Sequence, residues 1–302
     1  MRYKTNVLNK IFIIVNSIIL ISIAFLMMYP FINALSLSFS GPEEVISGEV
    51  TLYPRNFNIE AYKTVIKFSD LLLAYKNTII YTVLGTIITL IIAALTAYPL
   101  VRGKLPGRRI FNLLIVITMF IPVGIIPNFL IIKELGLIDT IWSIVLPPCF
   151  FGFNIILMRT GFKNIPDSIF ESAYIDGASE WRILFQIATP LSKATFAVVG
   201  LFAAIFQWNY FLGPLLYLNE PNLFPLTLLL RRVLLQSGTS PEMALMVSKM
   251  ENIGVSELAV GPGFVIAMKM AMTMLAIGPI ILLYPFVQRY FIKGAMMGSV
   301  KE

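Results

Sequence analysis

The amino-acid sequence predicts an all-α integral membrane protein, and three observations support this fold class. Hydrophobic residues make up 58% of the 302 residues and charged residues 13%, which leaves more apolar surface than a water-soluble domain buries. Six runs are long and apolar enough to cross a bilayer, whose hydrocarbon core of about 30 Å takes about 20 helical residues. Lys269, near one end of its run, is the one Asp, Glu, Lys or Arg residue within these runs.

The six predicted spans leave both termini on the same side of the membrane. They cover residues 11–35, 77–100, 110–132, 140–158, 194–218 and 265–288. The loops on the side of the termini contain 14 Lys and Arg against 5 Asp and Glu, whereas the other side, with Lys269 included, contains 9 against 11. Because cytoplasmic loops are enriched in positive charge, we predict that both termini are cytoplasmic. The net charge of +7 is therefore a topology signal and does not indicate nucleic-acid binding.

The first run admits an alternative interpretation, a cleaved signal peptide. Arg2, Lys4 and Lys10 precede it, and the small residues of Ala34-Leu35-Ser36 resemble a cleavage site. An apolar run of about 25 residues is longer than the apolar core of a signal peptide, and we interpret it as the first span.

The composition argues against several classes of function. The chain has a single cysteine, Cys149, and no histidine, so it has no disulfide framework and no credible metal or haem ligand set. Secondary transporters and membrane-embedded enzymes usually need ionisable residues at mid-membrane, and the predicted spans lack them there. The sequence has no Gly-rich loop that ends in Gly-Lys-Ser or Gly-Lys-Thr. If ATP drives transport, the ATPase is therefore another chain.

Two long segments, residues 36–76 and 219–264, lie on the side opposite the termini. The second contains the run from Phe224 to Leu235, which is too short to span and includes Arg231 and Arg232. This run predicts an interfacial or re-entrant helix. The two segments are either a surface for an external partner or simple connections.

The cytoplasmic loop of residues 159–193 predicts two short helices joined by a sharp turn. Pro166 and Asp167 suit the first turn of a helix that runs to about Asp176, and Gly177 provides the backbone freedom for the turn. Ser179 is a suitable N-cap for a second helix, which Pro190 bounds. Helical spacing groups the apolar side chains of that helix: Trp181, Leu184, Phe185 and Ala188.

The loop could meet either lipid or another protein. In the first interpretation the second helix lies on lipid headgroups or packs beneath its own bundle. In the second the loop is a docking surface, where Ala173 and Gly177 allow close approach while Glu171 and Asp176 offer charges for pairing. Residue types alone leave both interpretations open.

The spacing of the loop resembles the EAA motif of binding-protein-dependent ABC importer permeases. That motif reads Glu-Ala-Ala, three residues, Gly, nine residues, an aliphatic residue, one further residue and Leu-Pro. The matching residues are Glu171-Ser172-Ala173, Asp176-Gly177-Ala178-Ser179, Ile187 and Pro190. Ser172 in place of the second Ala and Thr189 in place of Leu are departures that leave the two-helix interpretation intact.

Longer stretches resemble the carbohydrate-importer branch related to the smaller maltose-transporter permease. They are LGLIDTIWSIVLPPCFFGFNIILMRTGFKNIPDSIFESAYIDGAS, FQWNYFLGPLLYL and YPFVQRYFIKGAMMGSVKE. The likeness runs from about residue 70 to the end of the chain. A peptide, amino-acid or phosphate importer of the same class is the alternative that this likeness opposes.

The resemblance implies an ABC importer type I permease fold in the bacterial cytoplasmic membrane. It implies four kinds of partner besides lipid: a second homologous permease, a cytoplasmic ATPase dimer, an extracytoplasmic solute-binding protein and the transported sugar. ATP and Mg would bind the ATPase, and this chain would hold no cofactor and catalyse nothing. When the family's ATPase contacts are transferred to the matching positions of the motif, the resemblance implies that the contacts here are Glu171, Ala173, Asp176, Gly177 and Ala178. The tail from Gly294 to Glu302 resembles the family tail that reaches into the ATPase dimer interface.

The translocation path of a sugar is expected to offer hydrogen-bonding groups and aromatic faces. The segment Gln207-Trp208-Asn209-Tyr210 lies in the fifth predicted span, with Asn154 in the fourth and Asn128 in the third. Amides at membrane depth turn inward because lipid offers them no partner, so they either line the path or join helices to one another. Prolines in the spans predict kinks, at Pro122, Pro127, Pro214 and Pro279.

Overall fold

A computed structural model describes residues 7–67, 69–102, 105–121, 123–235 and 261–297, and every regular element in these ranges is a helix. The predicted all-α class is confirmed. In chain order the α-helices are α1 (Val7–Ser38), α2 (Pro42–Ser47), α3 (Glu60–Lys67), α4 (Ser69–Arg102), α5 (Arg108–Phe120), α6 (Ile125–Glu134), α7 (Ile141–Val145), α8 (Gly152–Lys163), α9 (Asp167–Ile175), α10 (Glu180–Arg182), α11 (Thr189–Leu191), α12 (Lys193–Asn209), α13 (Leu212–Tyr217), α14 (Leu226–Leu235) and α15 (Pro262–Met297). Pro147–Cys149 and Pro221–Leu223 are 3-10 helices, and Ile183–Ala188 is a π-helix.

Some helices are long and apolar enough to cross a membrane by themselves, and others only in pairs. The single helices are Asn9–Ser38, Asp70–Arg102 and Pro262–Pro279. The pairs, each bent at a short break, are Arg108–Phe120 with Ile125–Glu134, Ile141–Cys149 with Gly152–Lys163, and Glu180–Leu191 with Lys193–Asn209. By length and composition the described residues therefore contain three candidate spans, or up to six if each bent pair is one span.

The run predicted as the fourth span, residues 140–158, is a broken helix. The chain bends by 54° between the segment ending at Cys149 and α8. Pro147 and Pro148 lack the N–H groups that would continue the helical hydrogen-bond ladder, and Phe150 and Phe151 adopt extended conformations. We did not predict this break, because only the prolines of the other spans were interpreted as kinks.

At Pro214 and Pro127 the helix breaks before the proline. In the fifth run the helix ends at Asn209 and Tyr210 is extended, so Pro214 lies in the first turn of α13, where its missing N–H costs nothing. Pro127 occupies the same kind of position in α6, after Gly124 with a φ of +87°. The kink predicted at Pro122 lies outside the described residues, and α15 continues through Pro279 as a helix.

The chain divides into two compact units, which we describe separately. The first contains residues 1–69 and 230–278. In its described part, α1 exposes its side chains from Ile11 to Phe31, as expected of a helix whose environment is lipid or another chain. The end of α1 is tied to the following segment, because the Asn33 side chain donates to the Val50 and Thr51 carbonyls at 3.2 and 2.8 Å.

The second unit contains residues 70–229 and 279–302, and its main apolar core joins α4, α8, α9, α12 and the π-helix. Small residues of α4 allow close packing: Ala93, Ala94 and Ala97. A Cβ atom at Gly161 of α8 would lie 2.7 Å from the Cβ of Thr195 in α12, so only glycine fits at this crossing. The core reaches from the spans to Phe170 and Ala173 of α9, and the loop thus packs as part of the same unit.

Candidate functional site: the loop of residues 159–193 and a cavity between helices

The first loop helix begins and ends where the sequence predicts. Pro166 stands at the N-cap of α9, and Asp167 supplies the acidic residue of its first turn. At the other end Gly177 has a φ of +71°, and the Gly177 and Ala178 N–H groups donate to the Tyr174 and Ala173 carbonyls. This double hydrogen bond is a Schellman cap, which needs the left-handed residue that glycine provides.

The second helix is capped as predicted but does not end at Pro190. The Ser179 Oγ atom accepts a hydrogen bond from the Arg182 N–H at 3.4 Å. The chain then widens into a π-helix, in which the Thr189 N–H and hydroxyl both donate to the Leu184 carbonyl. Because the π-helix shifts the hydrogen-bond pattern, the missing N–H of Pro190 is accommodated and helical structure continues to Leu191.

The four apolar side chains that helical spacing groups on this helix differ in burial. Leu184 and Ala188 are buried as expected, together with Ile183. Trp181 and Phe185 are instead 64% and 55% exposed and stack on each other, with ring centroids 6.0 Å apart. Trp181 precedes the π-helix and Phe185 lies within it, and this stacked pair points away from the core that Ile183 and Leu184 join.

The five residues predicted to contact an ATPase do not share one surface. Glu171, Asp176 and Gly177 are exposed, whereas Ala173 is buried against the core and Ala178 is half-buried. Ala173 and Ala178 are thus less accessible than the other three residues, and the contacts of all five with an ATPase stay predictions. Small residues at these two positions let α9 pack closely on its own chain.

Sequence reasoning missed the most exposed apolar side chain of the loop. Ile175, in the last turn of α9, is 86% exposed beside Glu171 and Asp176. A large aliphatic side chain on an otherwise polar face was the signal that could have identified it. The open face of α9 thus combines carboxylates with one exposed aliphatic side chain.

Arg102, in the last turn of α4, holds the start of α9. Its side chain is 11% exposed and pairs with Asp167. It also donates to the carbonyls of Phe162 and Ile165, and its guanidinium lies over the ring of Phe170 at 3.8 Å from the centroid. The arginine therefore closes the end of α8 and the start of α9 against α4.

Tyr98 and Glu180 form a second connection between α4 and the loop. The buried Tyr98 donates its hydroxyl to Glu180 Oε2 at 2.6 Å, and Tyr174 donates to Glu180 Oε1 at 3.0 Å. Burial and the neighbouring Glu180 carboxylate raise the pKa of Tyr174. Its hydroxyl therefore stays protonated near neutral pH and remains a donor.

A cavity of about 450 Å³ lies between helices in the second unit. Its polar lining includes Asn154, Gln207 and Thr89, all buried. Its apolar lining is rich in phenyl rings: Phe150, Phe151, Phe153, Phe202 and Phe206. Gln207 donates to the Ile144 carbonyl at 3.2 Å, whereas the Oδ1 atom of Asn154 is buried without a hydrogen-bond partner. The cavity thus offers one unsatisfied acceptor among aromatic faces.

The structure brings together only two of the predicted path residues. Asn154 and Gln207 line the cavity, and the sequence reasoning overlooked Thr89. Trp208 and Tyr210 are half-buried outside this lining, Asn209 is exposed and donates to the Ile205 carbonyl of its own helix, and Asn128 is exposed on α6. Of the four consecutive residues 207–210 only Gln207 faces the cavity, because successive side chains of a helix point in different directions.

A carboxylate fixes the connection that precedes α7. Asp139, with a φ of +57°, accepts hydrogen bonds from the side chain and the main-chain N–H of Asn219 and from the N–H of Glu220. These hydrogen bonds hold the pKa of Asp139 below its usual range. The residues that the structure describes include no cluster of three or more His, Cys, Asp or Glu side chains that could bind a metal.

The match to a family model shows that the chain is the membrane subunit of a transport system. It belongs to the family of binding-protein-dependent transport system inner membrane components, whose model matches residues 85–296. The resemblance of residues 171–190 to the ABC importer permeases is thereby confirmed. The chain is a transport component and not an enzyme.

Several relatives of the chain are permeases of carbohydrate transport systems. It is 36% identical to the polygalacturonan/rhamnogalacturonan transport system permease protein YtcP of Bacillus subtilis over 97% of this chain and 99% of the relative. It is 26% identical to the arabinooligosaccharides transport system permease protein AraQ of Halalkalibacterium halodurans, over 92% of this chain and 93% of that relative. A solved bacterial ABC transporter involved in import of the acidic polysaccharide alginate contains a similar chain, with 33% identity, a TM-score of 0.85 and coverage of 95% and 98%.

Proposed function

We propose that the chain is a permease subunit of an ATP-driven, binding-protein-dependent importer of a carbohydrate, most suitably an oligosaccharide. The observation that carries the proposal is α9, a helix that packs on the core through Phe170 and Ala173 and leaves Glu171, Ile175 and Asp176 open. An importer permease needs such a surface to receive force from an ATPase. The carbohydrate relatives described above support the class of substrate.

Six spans with both termini in the cytoplasm form the proposed topology. The long helices α1, α4 and α15 supply three spans, and the broken runs near residues 110–132, 140–158 and 194–218 supply the others. The excess of Lys and Arg in the loops on the side of the termini supports the orientation. In this arrangement α9 is on the cytoplasmic side, in the bacterial cytoplasmic membrane.

The ATPase dimer is the proposed partner of α9. Glu171, Asp176 and Gly177 would lie at the contact with Ile175, while Ala173 and Ala178 would position the helix from behind. ATP and Mg would bind the ATPase, and ATP can drive the permease only if it binds the closed ATPase dimer more tightly than the open one. A second homologous permease and an extracytoplasmic solute-binding protein complete the proposed complex.

The cavity is the part of the translocation path that this chain is proposed to supply. The unpaired Oδ1 of Asn154 can accept a hydrogen bond from a sugar hydroxyl, and phenyl rings suit the C–H faces of a pyranose. Gln207 serves differently, because its amide is already bonded to the Ile144 carbonyl and joins two helices. The residues that line the cavity are uncharged.

Purification of the tagged chain in mild detergent, with identification of the co-purifying proteins, tests the complex. ATP hydrolysis is then measured with the binding protein and a panel of oligogalacturonate, alginate oligosaccharide, arabino-oligosaccharide and lactose, with an amino-acid mixture as control. We expect an ATPase to co-purify and at least one carbohydrate to stimulate it. Absence of any ATPase, or stimulation by amino acids alone, would overturn the proposal.

A further inference from the structure

Two side chains of α4, one helical turn apart, reach the loop at different places. Tyr98 and Arg102 are four residues apart and therefore lie on the same face of the helix. Arg102 pairs with Asp167 at the start of α9, and Tyr98 bonds to Glu180 just beyond the turn that follows α9. One attachment would allow α9 to pivot about it, whereas two attachments at opposite ends restrict that rotation.

The geometry of Tyr98 makes its attachment stiff. Its ring is 5% exposed and meets the ring of Phe162 edge-on, with centroids 5.9 Å apart and planes at 90°. The phenol can therefore move little within the core. Its hydroxyl lies 2.6 Å from Glu180 Oε2, the distance of a hydrogen bond to an ionised carboxylate, which is stronger than one between neutral groups.

Glu180 joins three pieces of the structure. It is the first residue of the second loop helix, which Ser179 caps. Its two carboxylate oxygens accept from Tyr98 of α4 and from Tyr174 of α9. One carboxylate therefore joins α9 to α4, in addition to the contacts of Arg102, and the Tyr98–Glu180 bond spans 82 residues of sequence.

We propose that Tyr98 and Glu180 are positioning residues for coupling, which transmit the movement of α9 to the transmembrane helix α4. The proposal rests on the proposed function, in which α9 receives the force of the ATPase. Glu171, Ile175 and Asp176 would meet the ATPase, and the Tyr98–Glu180 hydrogen bond would make α9 and α4 move as one body. Arg102 provides the first attachment and Glu180 the second.

Tyr98→Phe and Tyr174→Phe are a matched pair of variants. Each removes one hydroxyl and one hydrogen bond to the same carboxylate, and of these two bonds only the first crosses to α4; the Tyr174 hydroxyl also neighbours the Tyr98 hydroxyl. If Glu180 acts as the link, Tyr98→Phe uncouples α9 from α4, whereas Tyr174→Phe does not. If Glu180 merely stabilises the loop, the two variants behave alike.

The distance between α9 and α4 gives a direct readout in the purified complex with its ATPase. Spin labels are placed at Ser172→Cys and Ile91→Cys, both exposed positions, while the native Cys149 is buried. Pulsed electron paramagnetic resonance without nucleotide should give a narrow distance distribution for the parent and for Tyr174→Phe. We expect a broader distribution for Tyr98→Phe. This measurement requires neither sugar nor ATP.

Transport supplies the second readout, with oligogalacturonate as the probe in proteoliposomes. Loss of a hydrogen bond to a charged group should lower the sugar transported per ATP hydrolysed about tenfold in Tyr98→Phe. Adding Glu180→Ala to that variant should cause no further loss of coupling through α4, because both changes remove the same link. Glu180→Ala alone serves as the second test if Tyr98→Phe fails to assemble, and it should broaden the same distance distribution because alanine offers no acceptor to Tyr98.

The outcomes separate the two proposals. An unchanged distance distribution in Tyr98→Phe, or equal broadening in Tyr174→Phe, would overturn the role of Glu180. Absence of nucleotide-dependent movement in the parent complex would overturn the proposed function instead, and the nucleotide-free distances would still report on the link. Broadening confined to the Tyr98 and Glu180 variants, with reduced transport per ATP, supports the inference.

Discussion

The guanidinium of Arg102 lies 3.8 Å from the ring centroid of Phe170, so the end of a long apolar helix is stacked on the first loop helix. The same side chain pairs with Asp167 and donates to the Phe162 carbonyl at the end of α8 and to the Ile165 carbonyl just beyond it. Planar stacking combined with several directed donors is a property of arginine that lysine does not share. This contact therefore depends on the identity of the side chain and not on charge alone.

Replacing Arg102 by lysine should destabilise the chain by about 1–3 kcal/mol, because buried carbonyls lose their donors and the stacking is lost. Asp167→Asn is the matched control and should cost less than about 1 kcal/mol, because the Asp167 side chain is 79% exposed and its ion pair is screened by solvent. Thermal unfolding of the purified protein in detergent measures both. Equal losses would contradict the central role assigned to the guanidinium.

Gly177 should be replaceable by asparagine but not by valine. No atom lies within 4 Å of a Cβ placed there, so the obstacle is the φ of +71° and not a steric clash. A side chain in the left-handed region costs about 1–2 kcal/mol, least for asparagine and most for β-branched residues. We expect Gly177→Val to insert normally into the membrane and to lose stimulation of the ATPase.

The amount of Gly177→Val in the membrane fraction and its sugar-stimulated ATP hydrolysis are measured together, with Gly177→Asn as the control. Transport at the parent rate by Gly177→Val would argue that the loop merely lies on the membrane surface.

Asn154 and Gln207 should respond differently to apolar replacement. Asn154→Leu removes a buried acceptor that has no partner and should leave the stability unchanged or raise it, while transport falls. Gln207→Met removes the donor to the Ile144 carbonyl and should lower the stability by about 1–3 kcal/mol. Unfolding midpoints and sugar uptake of the two variants test the distinction. Full uptake by Asn154→Leu would exclude this side chain from the translocation path.

The lowered pKa of Asp139 predicts that the stability difference between the parent chain and an Asp139 variant depends on pH. Because its folded-state pKa is depressed, its contribution is present above the unfolded-state pKa of about 3.9 and is lost as pH falls through the lower folded-state value. Asn tolerates the positive φ, so Asp139→Asn removes the charge without straining the backbone. We expect a lower unfolding midpoint for the variant at pH 7 and converging midpoints below about pH 4. A difference that is constant down to the lowest pH would contradict this.

The helix ends in the loop could be predicted because they depend on neighbouring residues. Pro166, Gly177 and Ser179 restrict or permit backbone angles and hydrogen bonds within one turn, and the structure places the end of α9 and the cap of the following helix accordingly. The π-helix before Pro190 was missed because it reflects a compromise between a missing N–H and burial of Ile183 and Leu184.

The candidate site was harder to predict than the helices. Gln207 and Asn154 were chosen as amides at membrane depth, and both line the cavity, but Asn128 and Asn209 satisfied the same criterion and are exposed. Whether an amide faces a cavity depends on the rotation of its helix, which neighbouring helices determine. Thr89 was overlooked because a threonine in an apolar span gives no distinctive signal.

The sequence by itself determined the membrane environment, the helical class, the family motif and the turn at Gly177, because these follow from composition and from rules that act over a few residues. Tertiary structure alone decided that Ala173 is buried, that Ile175 is exposed and that Glu180 bonds to Tyr98. Burial and long-range hydrogen bonds depend on which helices pack together. Such contacts join residues far apart in the chain, and no local pattern records them.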